Sequence, residues 1–224
     1  MYEGTGRPVF SGVAIGPAYI YRRERQELPG ACGDPAAEQE KFDRAREVAR
    51  VQLTELFEKT RKEIGEDQAM ILDVQIMMLD DLDYLDSVRD MIAGGASAAQ
   101  AARETGHAFS SSFAALDDPY MKARAVDIRD MSERIVTILC GGTSGIFMEE
   151  PSILVAEDLT PSETVQLPRD KILAFITRQG SSNSHIAILA RTMNIPSLVQ
   201  AQIDLDPELD GRLIIVDGFE GRYY

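Results

Sequence analysis

One of the chain's two histidines, His185, follows directly on a run of small polar residues in the segment TRQGSSNSHIAILARTMNIPSLV, residues 177–199. Residues 179–184 are turn formers, whereas beyond them Ile186, Ile188, Leu189 and Met193 recur at helical spacing. The pattern predicts a loop running into a helix. Asn183 and Ser184 are both good N-cap residues, which puts His185 in the first turn beside backbone N–H groups that have no partner inside the helix. The positive end of the helix dipole disfavours imidazolium and so favours a neutral, nucleophilic ring nitrogen. The same N–H groups, with those of a loop containing Gly180, Ser181, Asn183 and Ser184, suit a tetrahedral anion. The chemistry this points to is acceptance of a phosphoryl group by His185. The competing reading is a histidine that merely caps the helix or sits on the surface. His107, in a helical GHAFSSSF context, reads as structural or solvated.

Composition narrows the setting. A length of 224 residues allows one large domain or two small ones, each with a core of its own. The two cysteines, Cys32 and Cys140, lie far apart with no metal-type spacing, and no metal site is expected. No basic-then-apolar leader opens the chain, and no apolar run approaches the ~20 residues a membrane span requires. A soluble, cytoplasmic protein with reduced thiols is the expectation. A formal net charge of −14 argues against nucleic acid as partner and for a solvated acidic face or a basic protein partner.

Two textures appear along the chain. Residues 9–22, 152–158, 171–177 and 212–218 are short runs rich in Val and Ile, bounded by Gly, Pro or charge, and read as strands. Between them, Thr160-Pro161-Ser162-Glu163 has the capping-box pattern with Pro at the first helical position. Over residues 36–64, Phe42, Ala45, Ala49, Leu53, Leu56 and Thr60 recur at steps of three and four among charged residues. Similar amphipathic patterns cover about 67–79, 82–92, 97–116 and 119–139, with Gly-rich breaks at 94–95 and 141–142. An antiparallel bundle would bury these stripes. Because strand-like sequence lies on both sides, the expected organisation is a discontinuous α/β domain of residues 1–30 and 145–224, with a helical bundle of residues 36–143 inserted in it.

The segment around His185 resembles the signature of the phosphoenolpyruvate-utilising family, T-D-x-G-G-x-x-S-H-x-A-I-x-A-R followed by an I-P-A-hydrophobic run. The matching residues are Thr177, Gly180, Ser184, His185, Ala187, Ile188, Ala190, Arg191, Ile195 and Pro196. Arg178 stands where the family usually has Asp, Ser181 where it has a second Gly, and Asn183 where Thr is common. The resemblance extends over nearly the whole chain. SGVAIGPAYI is similar to the family's opening segment and AEDLTPSET to the stretch before the central strand. GEDQAMILDVQIMMLDDLDY (residues 65–84) and LDDPYMKARAVDIRDMSERI (residues 116–135) resemble helices of the N-terminal half of enzyme I of the bacterial sugar phosphotransferase system. Ala123 replaces a usual Glu there, and Gln75 stands where relatives often have His.

The resemblance implies a swivelling-type α/β domain that carries a phosphoryl group on His185, supported by Gly180, Ser181, Asn183 and Ser184. The inserted bundle would dock the phosphocarrier protein HPr through Glu66, Asp67, Met77, Met78, Asp81 and Arg124. Acidic groups beside flexible methionines suit a partner with a basic rim and an apolar centre. Arg124 could instead pair with Asp127, three residues on. Nε2 of His185 would attack phosphorus in line, and a histidine of HPr would exchange the group by the same chemistry. Arg191, six residues beyond His185, falls about 120° round the helix and so reads as a helix anchor. The family continues into a barrel that binds phosphoenolpyruvate and Mg²⁺; the expectation is that this chain lacks it, needs no cofactor of its own and is a monomer. Two alternatives remain: a phosphohistidine domain of a dikinase-type enzyme, sharing the loop but not the bundle, and a catalytically silent binding module in which Arg178, Ser181 and Asn183 spoil the loop.

Overall fold

The Val- and Ile-rich runs form strands in the computed structural model, which describes residues 3–23, 26, 28, 33–142, 145–181 and 184–224; Cys32 and Asn183 lie outside these. Eight strands are present among the described residues: β1 (Gly4–Thr5), β2 (Arg7–Phe10), β3 (Val13–Tyr21), β4 (Ser152–Ala156), β5 (Ile172–Thr177), β6 (Ser197–Val199), β7 (Leu213–Asp217) and β8 (Arg222–Tyr223). They make one mixed sheet in the order β1-β8-β7-β3-β4-β5-β6-β2. β3, β4, β5 and β6 run parallel, and β1, β8, β7 and β2 add antiparallel pairs at either side. β4, SILVA, is buried along its whole length, as expected of a central parallel strand covered on both faces. One core gathers Ala18, Ile153, Val155, Ala174, Ile176, Leu198, Ile214 and Val216.

The run 9–22 is not one strand but two. Gly12, at φ 149°, turns the chain between them, its carbonyl accepting the Gly218 N–H at 2.8 Å. A side chain there would also meet Pro196 Cγ at 2.8 Å, so only Gly permits both the turn and the close approach. β2 pairs with β6 at one edge of the sheet while β3 crosses its middle, using Val13–Pro17 on β7 and Ala18–Tyr21 on β4.

Five helices form the other texture: α1 (Pro35–Glu63), α2 (Glu66–Met78), α3 (Leu82–Ala93), α4 (Ala98–Ala114) and α5 (Pro119–Leu139). Asp34 and Asp118 cap α1 and α5 immediately before a Pro at the first helical position. Phe42, Ala45, Ala49, Leu53 and Thr60 form the buried stripe of α1. α4 and α5 lie close because α4 presents Ala98, Ala99, Ala101, Ala102 and Gly106 inward; a Cβ on Gly106 would overlap the Ser132 side chain of α5. Buried polar groups also tie the helices, the Gln75 amide of α2 donating to Asp130 Oδ2 of α5 at 2.9 Å. Two further helices, α6 (Pro161–Gln166) and α7 (His185–Met193), flank the sheet.

The chain folds as two compact units, Met1–Glu24 with Gly145–Tyr224, and Arg25–Ser144. The first is mixed α/β and discontinuous in sequence; the second is the helical region α1–α5. Among the described residues, no helix is long and apolar enough to cross a membrane.

Candidate active site

α7 begins at His185, so the imidazole sits at the first helical position, half-buried. The helix holds its place through Ile186, Ala187, Leu189 and Ala190, all buried, and ends at Asn194 in the left-handed conformation that closes helices. Arg191 is exposed in the last turn, where a cation complements the helix dipole. The expected cap needs correcting. Ser184 occupies the N-cap position, but its hydroxyl makes no bond to the helix; it donates to the Ser181 carbonyl at 2.8 Å. A neighbouring carbonyl within reach outcompetes the cap, a common alternative for a serine hydroxyl.

The loop ahead of the helix is pinned from three directions. The backbone N–H groups of Arg178 and Gln179 donate to the Ala156 and Glu157 carbonyls at 3.1 and 2.8 Å, laying the loop along the end of β4. The Thr177 hydroxyl bonds the Gln179 carbonyl at 2.8 Å from a buried position, and the Gln200 amide bonds the Gly180 carbonyl at 3.1 Å. Gly180 adopts φ 101°, a region L residues avoid. Ser181 has no such φ and meets no backbone strain. Arg178 pairs with Glu157 at 3.4 Å, both about half-exposed, and Gln179 bonds the same carboxylate at 2.7 Å.

Three polar side chains converge on Gly180. A Cβ built there would lie 3.4 Å from Ser184 Oγ, 3.7 Å from Thr177 Oγ1 and 3.8 Å from Asp158 Oδ1. Asp158 keeps its carboxyl above the usual Asp value; burial is the main cause, and the charges of Glu163 and Glu157 add to it against the Leu159 N–H and Arg23. Beside it stands α6, whose capping box is complete: Thr160 Oγ1 accepts the Glu163 N–H at 3.3 Å, and Glu163 accepts the Thr160 N–H at 2.7 Å. The Glu163 carboxylate also accepts Tyr21 Oη at 2.7 Å and Arg23 Nε and Nη2 at 2.7 and 2.6 Å. Burial pushes this carboxyl up, but Arg23, the Thr160 N–H and the Tyr21 hydroxyl outweigh it, and the net direction is down. Asp158, Gln200, Tyr21 and Arg23 were not singled out by sequence reasoning, because they lie far from the loop in sequence and only sheet pairing gathers them. Among the described residues, no group of three His, Cys, Asp or Glu side chains is placed to hold a metal ion.

In the helical unit the candidate contact residues divide. Glu66 and Asp67 are exposed in the first turn of α2, Met77 is 66% exposed and Met78 half-buried. Glu66, Met70, Asp73 and Met77, at steps of four, three and four, form one exposed stripe of alternating acid and methionine. Met70, at 55% exposure, was missed; its spacing from Glu66 carried the signal. Asp81 is exposed but serves α3, its carboxylate accepting the Tyr84 N–H at 2.9 Å as an N-cap. Arg124 donates to Asp127 Oδ2 at 2.8 Å and to Tyr120 Oη at 2.8 Å, with its guanidinium 4.5 Å from the Tyr120 ring centroid. His107 lies 3.5 Å from Glu133, half-exposed.

Two family models match along the chain, the first crossing the boundary between the two units. Residues 5–124 match the family model described as PEP-utilising enzyme, N-terminal, and residues 148–221 match PEP-utilising enzyme, mobile domain. The phosphoenolpyruvate-protein phosphotransferase of Listeria monocytogenes is 34% identical over 228 residues, which cover 98% of this chain and 39% of that protein. That of Bacillus subtilis is 36% identical over 227 residues, covering 99% and 40%. The chain thus spans about 40% of the length of the curated relatives it matches. Among solved structures, the NMR structure of enzyme I (nEIt) superposes with a TM-score of 0.78 at 32% identity, covering 99% of this chain and 92% of that one. A second, described as the N-terminal domain of Enzyme 1 – Nitrogen, gives 0.67 at 28% identity over the same shares. The chain belongs to the PEP-utilising enzyme family and corresponds to the N-terminal part of its enzyme I members.

Proposed function

We propose that this chain carries a phosphoryl group on His185 and exchanges it with a histidine of HPr, docked on the helical unit. The observation that carries the reading is the placement of His185 as the first residue of a nine-residue helix, behind a loop in which Gly180 takes a positive φ beside the hydroxyls of Thr177 and Ser184. Backbone N–H groups at such an end offset the charge that builds on the transferring group. In the transfer, a lone pair of the His185 ring attacks phosphorus as the P–N bond to HPr breaks. The departing HPr imidazole takes up a proton as the His185 ring loses its own, so no net proton is consumed.

Two observations favour this over a silent module of the same fold. Ser181 stands where its backbone accepts any L residue, and Arg178 is held on Glu157. For docking, the support is the exposed stripe of Glu66, Met70, Asp73 and Met77, whose acids meet a basic rim and whose methionines adapt to an apolar centre. Arg124, ordered by Asp127 and Tyr120, presents a fixed cation at the start of α5, six residues and ~9 Å along the helix from Asp130, which Gln75 of α2 contacts. The relatives are named phosphoenolpyruvate-protein phosphotransferases, and the proposal is that charging from phosphoenolpyruvate with Mg²⁺ needs more than these 224 residues, which by themselves exchange with HPr. Mixing the chain with ³²P-labelled phospho-HPr tests the proposal. Label should move to the chain and return to added unlabelled HPr, while ³²P-labelled phosphoenolpyruvate with Mg²⁺ but no HPr leaves the chain unlabelled. Binding of HPr without any transfer of label would instead support the silent module.

A further inference from the structure

We propose that Gln200 is a positioning residue for phosphoryl transfer, acting on the loop that precedes His185; the inference rests on His185 being the phosphoryl acceptor. Among the described residues, two that are not glycine have positive φ, Asn194 at 55° and Gln200 at 54°. Asn194 closes α7, where that conformation is customary and Asn tolerates it. Gln200 closes no helix. It follows directly on β6, and a left-handed backbone at such a residue persists only where the surroundings impose it.

Two bonds impose it here, and a third makes use of it. The next two N–H groups along the chain are committed: Ala201 donates to the Thr177 carbonyl and Gln202 to the Thr5 carbonyl, both at 2.9 Å. From the kink between these bonds and β6, the Gln200 amide donates to the Gly180 carbonyl at 3.1 Å. The receiving residue is a glycine at φ 101°, a conformation that local sterics do not fix. A trans peptide is planar, with C=O and N–H pointing oppositely, so holding the Gly180 carbonyl also sets the direction of the Ser181 N–H. The Ser181 carbonyl is taken in turn by the Ser184 hydroxyl and N–H at 2.8 and 3.1 Å. Ser181 is thereby held on one side from the end of β6 and on the other from the start of α7. The hook on Gly180 orients the loop's donors relative to the His185 ring before the phosphoryl group arrives.

Two variants separate this role from a structural one. Gln200→Gly removes the amide and relieves the backbone; Gln200→Glu keeps the length and the backbone demand but presents a carboxylate in place of the donor. Both are compared with wild type for chain-catalysed exchange of label from ³²P-phospho-HPr to tagged, unlabelled HPr, which frees His185 in each cycle and so separates kcat from KM, and for thermal midpoint. The expectation is that kcat falls roughly tenfold in both while KM for phospho-HPr stays within about twofold, and that Gln200→Gly melts no lower than wild type. A kcat within about twofold of wild type in either variant, a loss confined to KM, or a loss of rate in Gln200→Gly that follows a lowered midpoint would overturn the proposal. A wild-type chain that takes no phosphoryl group removes the His185 reading and this inference with it, an outcome distinct from a labelled wild type with unaffected variants.

Discussion

Replacing Asp127 with Asn should stabilise the helical unit at pH 8 and leave its stability at pH 4 almost unchanged. The Asp127 side chain is 3% exposed. One carboxylate oxygen accepts from Arg124, while the other is buried with no hydrogen-bond partner among the described residues. Burial, with the nearby Asp130 charge added and Arg124 partly offsetting both, pushes this carboxyl from an ordinary 3.8 up to about 6. The folded state therefore binds the proton more tightly than the unfolded state between about pH 4 and 6, and stability falls as pH rises through that window. About two pH units between the folded and unfolded values, at about 1.4 kcal/mol each, put the loss at about 3 kcal/mol. Asn keeps the shape and escapes the ionisation cost, and because the raised value already includes the offset from Arg124, a net gain of up to about 3 kcal/mol at pH 8 is expected. Urea unfolding followed by helical circular dichroism at pH 4, 6 and 8 reads the difference directly. A difference between variant and wild type that does not grow with pH, or a variant less stable at pH 8, would refute the reasoning.

Glu163 carries the opposite linkage. Its lowered carboxyl contributes stability above the ordinary Glu range that is lost as pH falls, so Glu163→Gln should cost about 2 kcal/mol at pH 7, discounted for the half-exposed Arg23, and progressively less in acid; denaturant midpoints across pH 3–7 check it. Gly106→Ala should lower the thermal midpoint by several degrees, because overlap with Ser132 costs about 1–3 kcal/mol against a helix-propensity gain of at most about 1.

The helical half of the fold was readable because its signals are local. Period-3.6 stripes and Gly breaks set α1–α5 to within a residue or two, while the Asp-Pro starts at Asp34-Pro35 and Asp118-Pro119 are equally local signals that went unread. The Thr160 capping box and the start of α7 at His185 were legible for the same reason. The sheet was legible only in its buried middle. β1, β6 and β8 are two or three residues long and owe their existence to distant partners, as when Gly4 pairs with Tyr223. The separation of β2 from β3 depends on where Pro196 and Gly218 come to rest, which no local pattern encodes. Within the candidate site, the loop and helix were apparent from sequence. The hydroxyl of Ser184 was not, because a carbonyl three residues back and the helix N–H groups offer it similar bonds. Gln200 carries no signal of its own, since its kink is imposed by bonds to Thr5 and Thr177. Asp81 was read as a contact residue from its charge, although the same carboxylate caps α3.

The central claim is that His185 itself carries the phosphoryl group. Intact mass of the chain after mixing with phospho-HPr, kept at neutral or alkaline pH and run beside His185→Ala, tests it most directly. Wild type should gain one phosphoryl group, about 80 Da, and the variant none. A gain that survives the substitution, or a wild type that binds HPr and gains nothing, would contradict it.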